Sequence, residues 1–134
     1  MDRRGQKDAH AALCALYTKI IKANITEDRY EIVNLHNDIE ENDYSGRLSK
    51  WLSEFAQNGN VHPEDLEIYI AHTNILYLRD YFLRKKKSMS IIYRRKSSGD
   101  EGFKRFMLEI IPVNDYTDEN QKLFMYLKKI HKYL

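Results

Sequence analysis

The sequence predicts an α+β fold in which short helices cover one face of a single antiparallel sheet. Three observations predict it: a short two-strand pattern near the start, apolar residues at helical spacing in the middle, and apolar–polar alternation over the last third. Two strands cannot bury a face by themselves, so we expect the early pair to join the three later strands. The expected sheet therefore has five strands, and an amphipathic helix precedes it.

Length and composition favour one soluble domain, since the chain has 134 residues, of which 43% are hydrophobic and 31% are charged. A net charge of +2 favours neither nucleic acid nor a membrane as partner. The one cysteine, Cys14, excludes an internal disulfide and is typical of a reducing, cytoplasmic location. The longest apolar run, residues 11–17, is far shorter than the roughly 20 residues of a membrane helix. We therefore expect no membrane span in this segment.

The helices are predicted from apolar spacing and from the residues that start them. Residues 6–17 are amphipathic, so we divide the chain into a flanking helix, residues 1–16, and a main domain, residues 17–134. Ser45 is the expected N-cap of a helix that stops at residues 58–59. Pro63 and Asn74 are expected to begin two further helices.

The strands are predicted where β-branched and aromatic residues alternate with polar ones. A hairpin is expected around a polar turn at residues 26–29. Three longer strands follow in "SMSIIYRRK", "GFKRFMLEIIPV" and "QKLFMYLKKIH", which are separated by polar loops. Their alternation places one apolar set of side chains on each face of the sheet.

Together these segments resemble the PAS sensory domains, in particular those that precede GGDEF-type diguanylate cyclase domains in bacterial signalling proteins. The resemblance covers residues 17–133, with "YEIVNL" as the second strand, "VHPED" as a helix start and "YRRKSSGDEGFKRFMLEIIP" as the central hairpin. "LFMYLKKIHKYL" is similar to the final strand and exit linker. The sequence departs from the family at Phe106, where many members have tryptophan, and at Lys129, where an aspartate is usual.

The resemblance implies strand order 2-1-5-4-3, a ligand cavity between sheet and helices, and output through the terminal helices. It implies a sensory module that responds to a small ligand or partner and regulates a C-terminal output domain, here a diguanylate cyclase. The GGDEF motif is absent, so we expect no enzyme activity in this chain. Flavin-binding members use a cysteine inside the domain and haem-binding members a cavity histidine. Cys14 precedes the first strand and His72 lies at an expected helix end, so we expect neither cofactor and leave the ligand open.

A cavity would be lined by the inner sheet face and by the helices opposite. Alternation and the resemblance give ten candidates: Asn34, Trp51, Phe55, Ile68, Ile91, Tyr93, Phe106, Leu108, Met125 and Leu127. Trp51, Tyr93 and Asn34 have polar tips for ligand contact, and Leu127, just before the exit, is the expected coupling position. The same side chains would equally form a filled core, which leaves a ligand-free interaction domain as the alternative.

The opposite sheet face would carry too much apolar surface to leave in water, namely Ile92, Met107, Ile111, Phe124 and Tyr126. We expect the first helix to cover this face through Leu13 and Leu16, together with the same helix of a second copy. A homodimer is therefore the expected state.

Other chemistries have weaker support in the sequence. His62 and His72 would lie about 15 Å apart along a helix, so one metal ion cannot bind both, and no metal site is expected. The chain has no phosphate-binding glycine loop and no nucleophile elbow. "RKKKSMSIIYRRK" with Phe103 and Phe106 offers basic and aromatic groups for RNA, which is a third alternative. Such residues more often form a core and a helix cap, so we expect no nucleic-acid partner.

Overall fold

A computed structural model describes residues 17–36, 38–39, 41, 43–97 and 101–130. Within these residues the elements are, in chain order, β1 (Lys19–Asn24), β2 (Arg29–Leu35), β3 (Ser45–Arg47), α1 (Leu48–Gln57), the 3-10 helix Pro63–Asp65, α2 (Leu66–Thr73), α3 (Ile75–Lys85), β4 (Met89–Arg95), β5 (Lys104–Pro112) and β6 (Lys122–Lys129). The expected flanking helix, residues 1–16 with Leu13 and Leu16, lies outside the described residues.

The strands in the described part of the chain form one antiparallel sheet in the order β3-β2-β1-β6-β5-β4. The expectation of five strands in the order 2-1-5-4-3 was wrong, because the short strand β3 adds an edge and pairs with β2. Gly46 allows this pairing, since a Cβ there would come within 3.3 Å of the Tyr30 ring. The five longer strands follow one another as β2-β1-β6-β5-β4, which places the first and last strands side by side at the centre.

Helix α1 is started by a distant side chain and not by the expected Ser45. Ser45 lies in β3, and Arg47, just before the helix, makes no capping side-chain hydrogen bond. Asp28 in the β1–β2 turn instead accepts hydrogen bonds from the Ser49 backbone N–H at 2.7 Å and the Ser49 hydroxyl at 2.6 Å. Its carbonyl also accepts from the Leu48 N–H at 3.1 Å. The turn therefore satisfies the first N–H groups of the helix.

The other two helices begin close to the predicted residues. Pro63 opens the 3-10 helix, and His62 Nδ1 accepts a hydrogen bond from the Glu64 N–H at 3.1 Å. Asn74 caps α3, because its side-chain oxygen accepts from the backbone N–H groups of residues 76 and 77 at 2.9 and 3.2 Å. Since one 3-10 turn separates Pro63 from α2, the face that α2 presents to the sheet is shifted along the sequence.

The core lies between the helices and one face of the sheet. Alternation predicted the residues of this face in β4, β5 and β6, and all of them are buried: Met89, Ile91, Tyr93, Phe106, Leu108, Ile110, Leu123, Met125 and Leu127. Leu78 and Phe82 of α3 are fully buried from the helix side. On the outer face Met107, Ile111, Phe124 and Tyr126 are half-buried, and Ile92 is 55% exposed. No helix in the described ranges is long and apolar enough to cross a membrane.

Candidate functional site

A small cavity lies between helices α1 and α2 and the inner face of the sheet. Its volume is about 30 Å³, which is room for about two water molecules. Four aromatic side chains, two cations and five aliphatic or thioether side chains form its wall: Trp51, Phe55, Tyr69, Tyr93, Lys19, Arg95, Ile21, Leu52, Leu108, Met125 and Leu127. The wall is mostly apolar, and its few polar groups are in positions to orient a bound molecule.

Six of the ten residues predicted for this site lie in the cavity wall: Trp51, Phe55, Tyr93, Leu108, Met125 and Leu127. Ile91 and Phe106 are buried in the core but are not part of the wall. Asn34 pairs with Ile20 in the β1–β2 ladder and is not part of the wall either. A ligand-binding role for these residues stays a prediction.

The prediction that Ile68 faces the cavity was wrong, since 51% of this residue is exposed. Because α2 begins only after the 3-10 turn that Pro63 opens, the inward position falls on Tyr69. Tyr69 is buried and lines the cavity. His72 is half-buried near the end of α2, where its Nδ1 lies 2.8 Å from the Ile68 carbonyl oxygen.

The two cations of the wall, Lys19 and Arg95, were missed by sequence reasoning although a signal for both was present. Arg95 has the same parity in β4 as Tyr93, and Lys19 has the same parity in β1 as Ile21, so alternation places both inward. Charged residues at strand ends are usually solvated, so the alternation was not taken as evidence that these two side chains are buried. Only partners distant in sequence explain why both are buried.

Those partners are two carboxylates from the connection between β2 and β3. Arg95 Nη2 donates to Asp38 Oδ1 at 2.7 Å, and Lys19 Nζ lies 3.1 Å from Asp38 Oδ2. Lys19 Nζ also donates to Glu41 Oε1. The side chains of Lys19, Asp38 and Arg95 are at most 3% exposed. We call these four residues the buried charge cluster, in which each cation is neutralised within the fold.

The Arg95 guanidinium lies between two aromatic rings of the core. Its Cζ is 4.5 Å from the centre of the Phe55 ring and 4.8 Å from the centre of the Phe106 ring, within cation–π range. Its Nε donates to the Lys96 carbonyl at 2.9 Å. These contacts restrict the orientation of the guanidinium, and its Nη2 donates to Asp38. The planar fork is therefore preorganised to bind a carboxylate.

Trp51 joins the aromatic wall to the buried charge cluster. Its ring stacks on Tyr30 with the centres 4.5 Å apart. Its Nε1 donates to Glu41 Oε2 at 3.2 Å, and Lys19 Nζ lies 5.3 Å from its ring centre. The indole therefore contacts one carboxylate and one cation of the buried charge cluster.

Two tyrosines complete the wall next to Arg95. The Tyr69 hydroxyl donates to the Leu52 carbonyl at 2.8 Å, and its ring centre is 5.1 Å from that of Tyr93. Burial raises the pKa of Tyr69 well above its usual range. Burial also raises the pKa of Tyr93 to about 12, although the Arg95 charge opposes this. Both phenols are therefore protonated at neutral pH, and neither acts as a base there.

A second ion pair ties the helix layer to β4 outside the cavity, and we call it the Asp65–Arg94 clamp. Asp65 accepts hydrogen bonds from the backbone N–H and Nε of Arg94, both at 2.8 Å, and from its Nη2 at 3.0 Å. Arg94 Nη2 also donates to Glu64 at 3.1 Å. The side-chain hydrogen bonds from Arg94 are the main reason why the pKa of Asp65 is lowered to about 2.

The chemistry that the cavity offers is that of binding. Its wall provides two fixed cations, two protonated phenols and an indole ring beside apolar surface. Among the described residues no group of three His, Cys, Asp or Glu side chains is placed to hold a metal ion. The arrangement suits a small molecule that has both polar and apolar groups.

Comparison with known proteins gives a likeness in fold. No protein-family model matches the sequence, and no curated protein matches it. The chain is similar to a crystal structure of a sensory box histidine kinase/response regulator from Burkholderia thailandensis E264, with a TM-score of 0.54 at 11% sequence identity. The similarity covers 92% of this chain and 84% of that chain. The chain therefore has a PAS-like fold.

Proposed function

We propose that this chain is a sensory and regulatory domain that binds a small ligand in its cavity and controls a C-terminal output domain, a diguanylate cyclase. The observation that supports this most is the cavity itself, which lies between the helices and a PAS-like sheet. Its wall combines aromatic rings with two buried cations, a combination that a core built only for stability does not need. The output domain follows from the sequence resemblance, and the cavity is the sensor that would control it.

The route from cavity to output is the last strand, β6. Leu127 lines the cavity and pairs with Lys19 of β1, which also lines it. β6 ends at Lys129, two residues after Leu127. A ligand that changes the packing around Leu127 therefore acts directly on the strand that leads to the C-terminal output domain.

We also propose that the domain works as a homodimer through its outer sheet face. Phe124 and Tyr126 lie on this face with ring centres 5.9 Å apart, and Tyr17 packs on Tyr126 at 5.2 Å. Since Tyr17 packs on this apolar surface, we propose that residues 1–16 cover it together with those of a second copy. Sedimentation of a monomer at high micromolar concentration would contradict the dimer.

The sensory function is tested by filling the cavity in the full-length protein. Leu108→Phe adds bulk to a wall residue and should block the ligand, so formation of cyclic di-GMP should no longer respond to the signal. Leu76→Ala on α3 is the control, because this leucine is 70% exposed and outside the cavity. If both variants respond as the unmodified protein does, the cavity is not the sensor.

The small volume of the cavity favours a second candidate, a ligand-free interaction domain. A volume of about 30 Å³ is far below the roughly 300 Å³ of a drug-sized ligand site. A native mass spectrum of freshly purified protein separates the two functions, because retained extra mass supports a sensor. An empty cavity that also accepts no added small molecule supports the interaction domain.

A further inference from the structure

The charges around the cavity come from two different parts of the fold. Both cations, Lys19 and Arg95, belong to strands of the sheet, and their backbones are held in the β-ladders. Both carboxylates, Asp38 and Glu41, belong to the connection between β2 and β3. The cationic half of the buried charge cluster is therefore part of the rigid scaffold, whereas the anionic half is supplied by a connecting segment.

Asp38 shows how a carboxylate binds between the two cations. One of its oxygens accepts from Arg95 Nη2 at 2.7 Å, and the other lies 3.1 Å from Lys19 Nζ. That second oxygen has the distance of an ion pair but no well-directed hydrogen bond, although it is buried. Arg95 and Lys19 thus form a carboxylate site that the chain fills with its own side chain, and fills imperfectly.

Size and charge decide which molecule can bind in this place. The cavity volume of about 30 Å³ corresponds to about two water molecules, which is close to the size of formate or acetate. A third carboxylate beside Asp38 and Glu41 would leave one negative charge buried without a partner, and such a charge is costly. An anion can therefore enter only by exchange with a carboxylate that is already there.

We propose that the cavity binds a small carboxylate, of the size of formate or acetate, which replaces the Asp38 carboxylate on Arg95 and Lys19. This assignment rests on the proposed sensory function and names the class of its ligand. The methyl group of acetate would lie against Leu108 and Met125 in the apolar part of the wall.

Trp51 provides the assay, because it is the single tryptophan of the chain and lies in the cavity wall. Its contacts with Glu41 and Lys19 make its fluorescence sensitive to a change in the cluster. Formate, acetate and propionate are titrated into the purified chain. Sodium chloride at equal ionic strength is the control for an unspecific anion effect, and acetamide is the control for a molecule of similar shape without charge. We expect at least one carboxylate to change the fluorescence saturably, whereas chloride and acetamide do not.

Variants of the cluster then locate the site. Asp38→Asn removes the internal competitor and should tighten carboxylate binding at least tenfold. Arg95→Met removes the main binding group and should weaken it at least tenfold. Arg94→Met is the matched control, because Arg94 is the next residue in β4 but pairs with Asp65 outside the cavity, and it should bind as the unmodified chain does.

Melting temperatures provide a second test of the site, which also shows whether a variant is folded. Asp38→Ala leaves Arg95 without its carboxylate and Lys19 with Glu41 alone, and acetate but not acetamide should raise the melting temperature of this variant. If no carboxylate binds the unmodified chain, or if Asp38→Asn binds no more tightly and Asp38→Ala is not stabilised, the assignment is overturned. Binding of only an uncharged molecule overturns it too but leaves the sensory function standing. Carboxylate binding that leaves the output of the full-length protein unchanged supports the assignment and contradicts the sensory function.

Discussion

Replacing Asp65 by asparagine should weaken the attachment of the helix layer to β4. The Asp65–Arg94 clamp lowers the pKa of the Asp65 carboxyl from its ordinary value of 3.8 to about 2. That difference corresponds to at most about 2.5 kcal/mol of stability at neutral pH. The Asp65 side chain is 21% exposed and that of Arg94 is 35% exposed, so solvent screening reduces the expected loss to about 1 kcal/mol.

The pH dependence of this loss identifies its cause. Because the carboxyl has a lower pKa in the folded state, its contribution is fully present above about pH 4 and disappears as the pH falls through about 2. Urea unfolding of the unmodified chain and of Asp65→Asn should therefore give a difference of about 1 kcal/mol at pH 7. Between pH 4 and pH 2 this difference should shrink towards zero.

The control is Asp115→Asn on the protein surface. The hydrogen bond from Lys122 also lowers the pKa of Asp115, but this carboxylate is largely exposed. We expect no measurable change in unfolding for this variant. If Asp65→Asn and Asp115→Asn behave alike, or if the Asp65→Asn difference is the same at pH 7 and pH 2, the charge of Asp65 does not stabilise the fold as argued.

Three further predictions concern single contacts of the fold, each measured by urea unfolding at pH 7. Tyr69→Phe leaves the buried Leu52 carbonyl without its side-chain donor and should cost about 1 kcal/mol, whereas a change near zero would contradict a role for this bond. Asn74→Ala removes the cap of α3 and should also cost about 1 kcal/mol, with Asn74→Ser close to the unmodified chain. Leu127→Ala enlarges the cavity and should lower the free energy of unfolding by about 2–5 kcal/mol. A loss below about 1 kcal/mol would mean that the cavity wall collapses around the shortened side chain.

The sequence was sufficient to predict those parts of the fold that depend on periodic patterns. Alternation correctly placed Leu108 and Met125 inward and Ile92 outward, because side-chain direction in a strand follows from position alone. The helix starts at Pro63 and Asn74 were predictable for a similar reason, since each depends on the local backbone chemistry of one residue.

The parts that were missed depend on contacts between residues distant in sequence. The three-residue strand β3 is too short for a pattern and exists because it pairs with β2. The N-cap of α1 is provided by Asp28, about 20 residues earlier in the chain. Arg95 meets Asp38 across 57 positions of sequence, and without this partner the burial of an arginine contradicts the usual preference. The charged half of the cavity could therefore be found only in three dimensions.

Thr18 links the buried charge cluster to β6, the strand that leads towards the C-terminus, and this link can be tested by changing Thr18 alone. Thr18 donates twice to the Leu127 carbonyl, from its backbone N–H at 2.8 Å and from its hydroxyl at 3.2 Å. Lys19, the next residue, forms an ion pair with the Asp38 carboxylate. A ligand carboxylate that replaces Asp38 on Lys19 would therefore act one residue away from the hydrogen bonds between Thr18 and Leu127.

Thr18→Val keeps the backbone bond and the side-chain shape but removes the hydroxyl. Its stability should fall by less than about 1 kcal/mol, because the Leu127 carbonyl keeps one donor. If the hydrogen bond from the Thr18 hydroxyl to Leu127 transmits the signal, the full-length variant should bind its ligand with unchanged affinity but show a smaller change in output. A variant that keeps the full response would show that Leu127 receives the signal through its contacts with the cavity and not through β1.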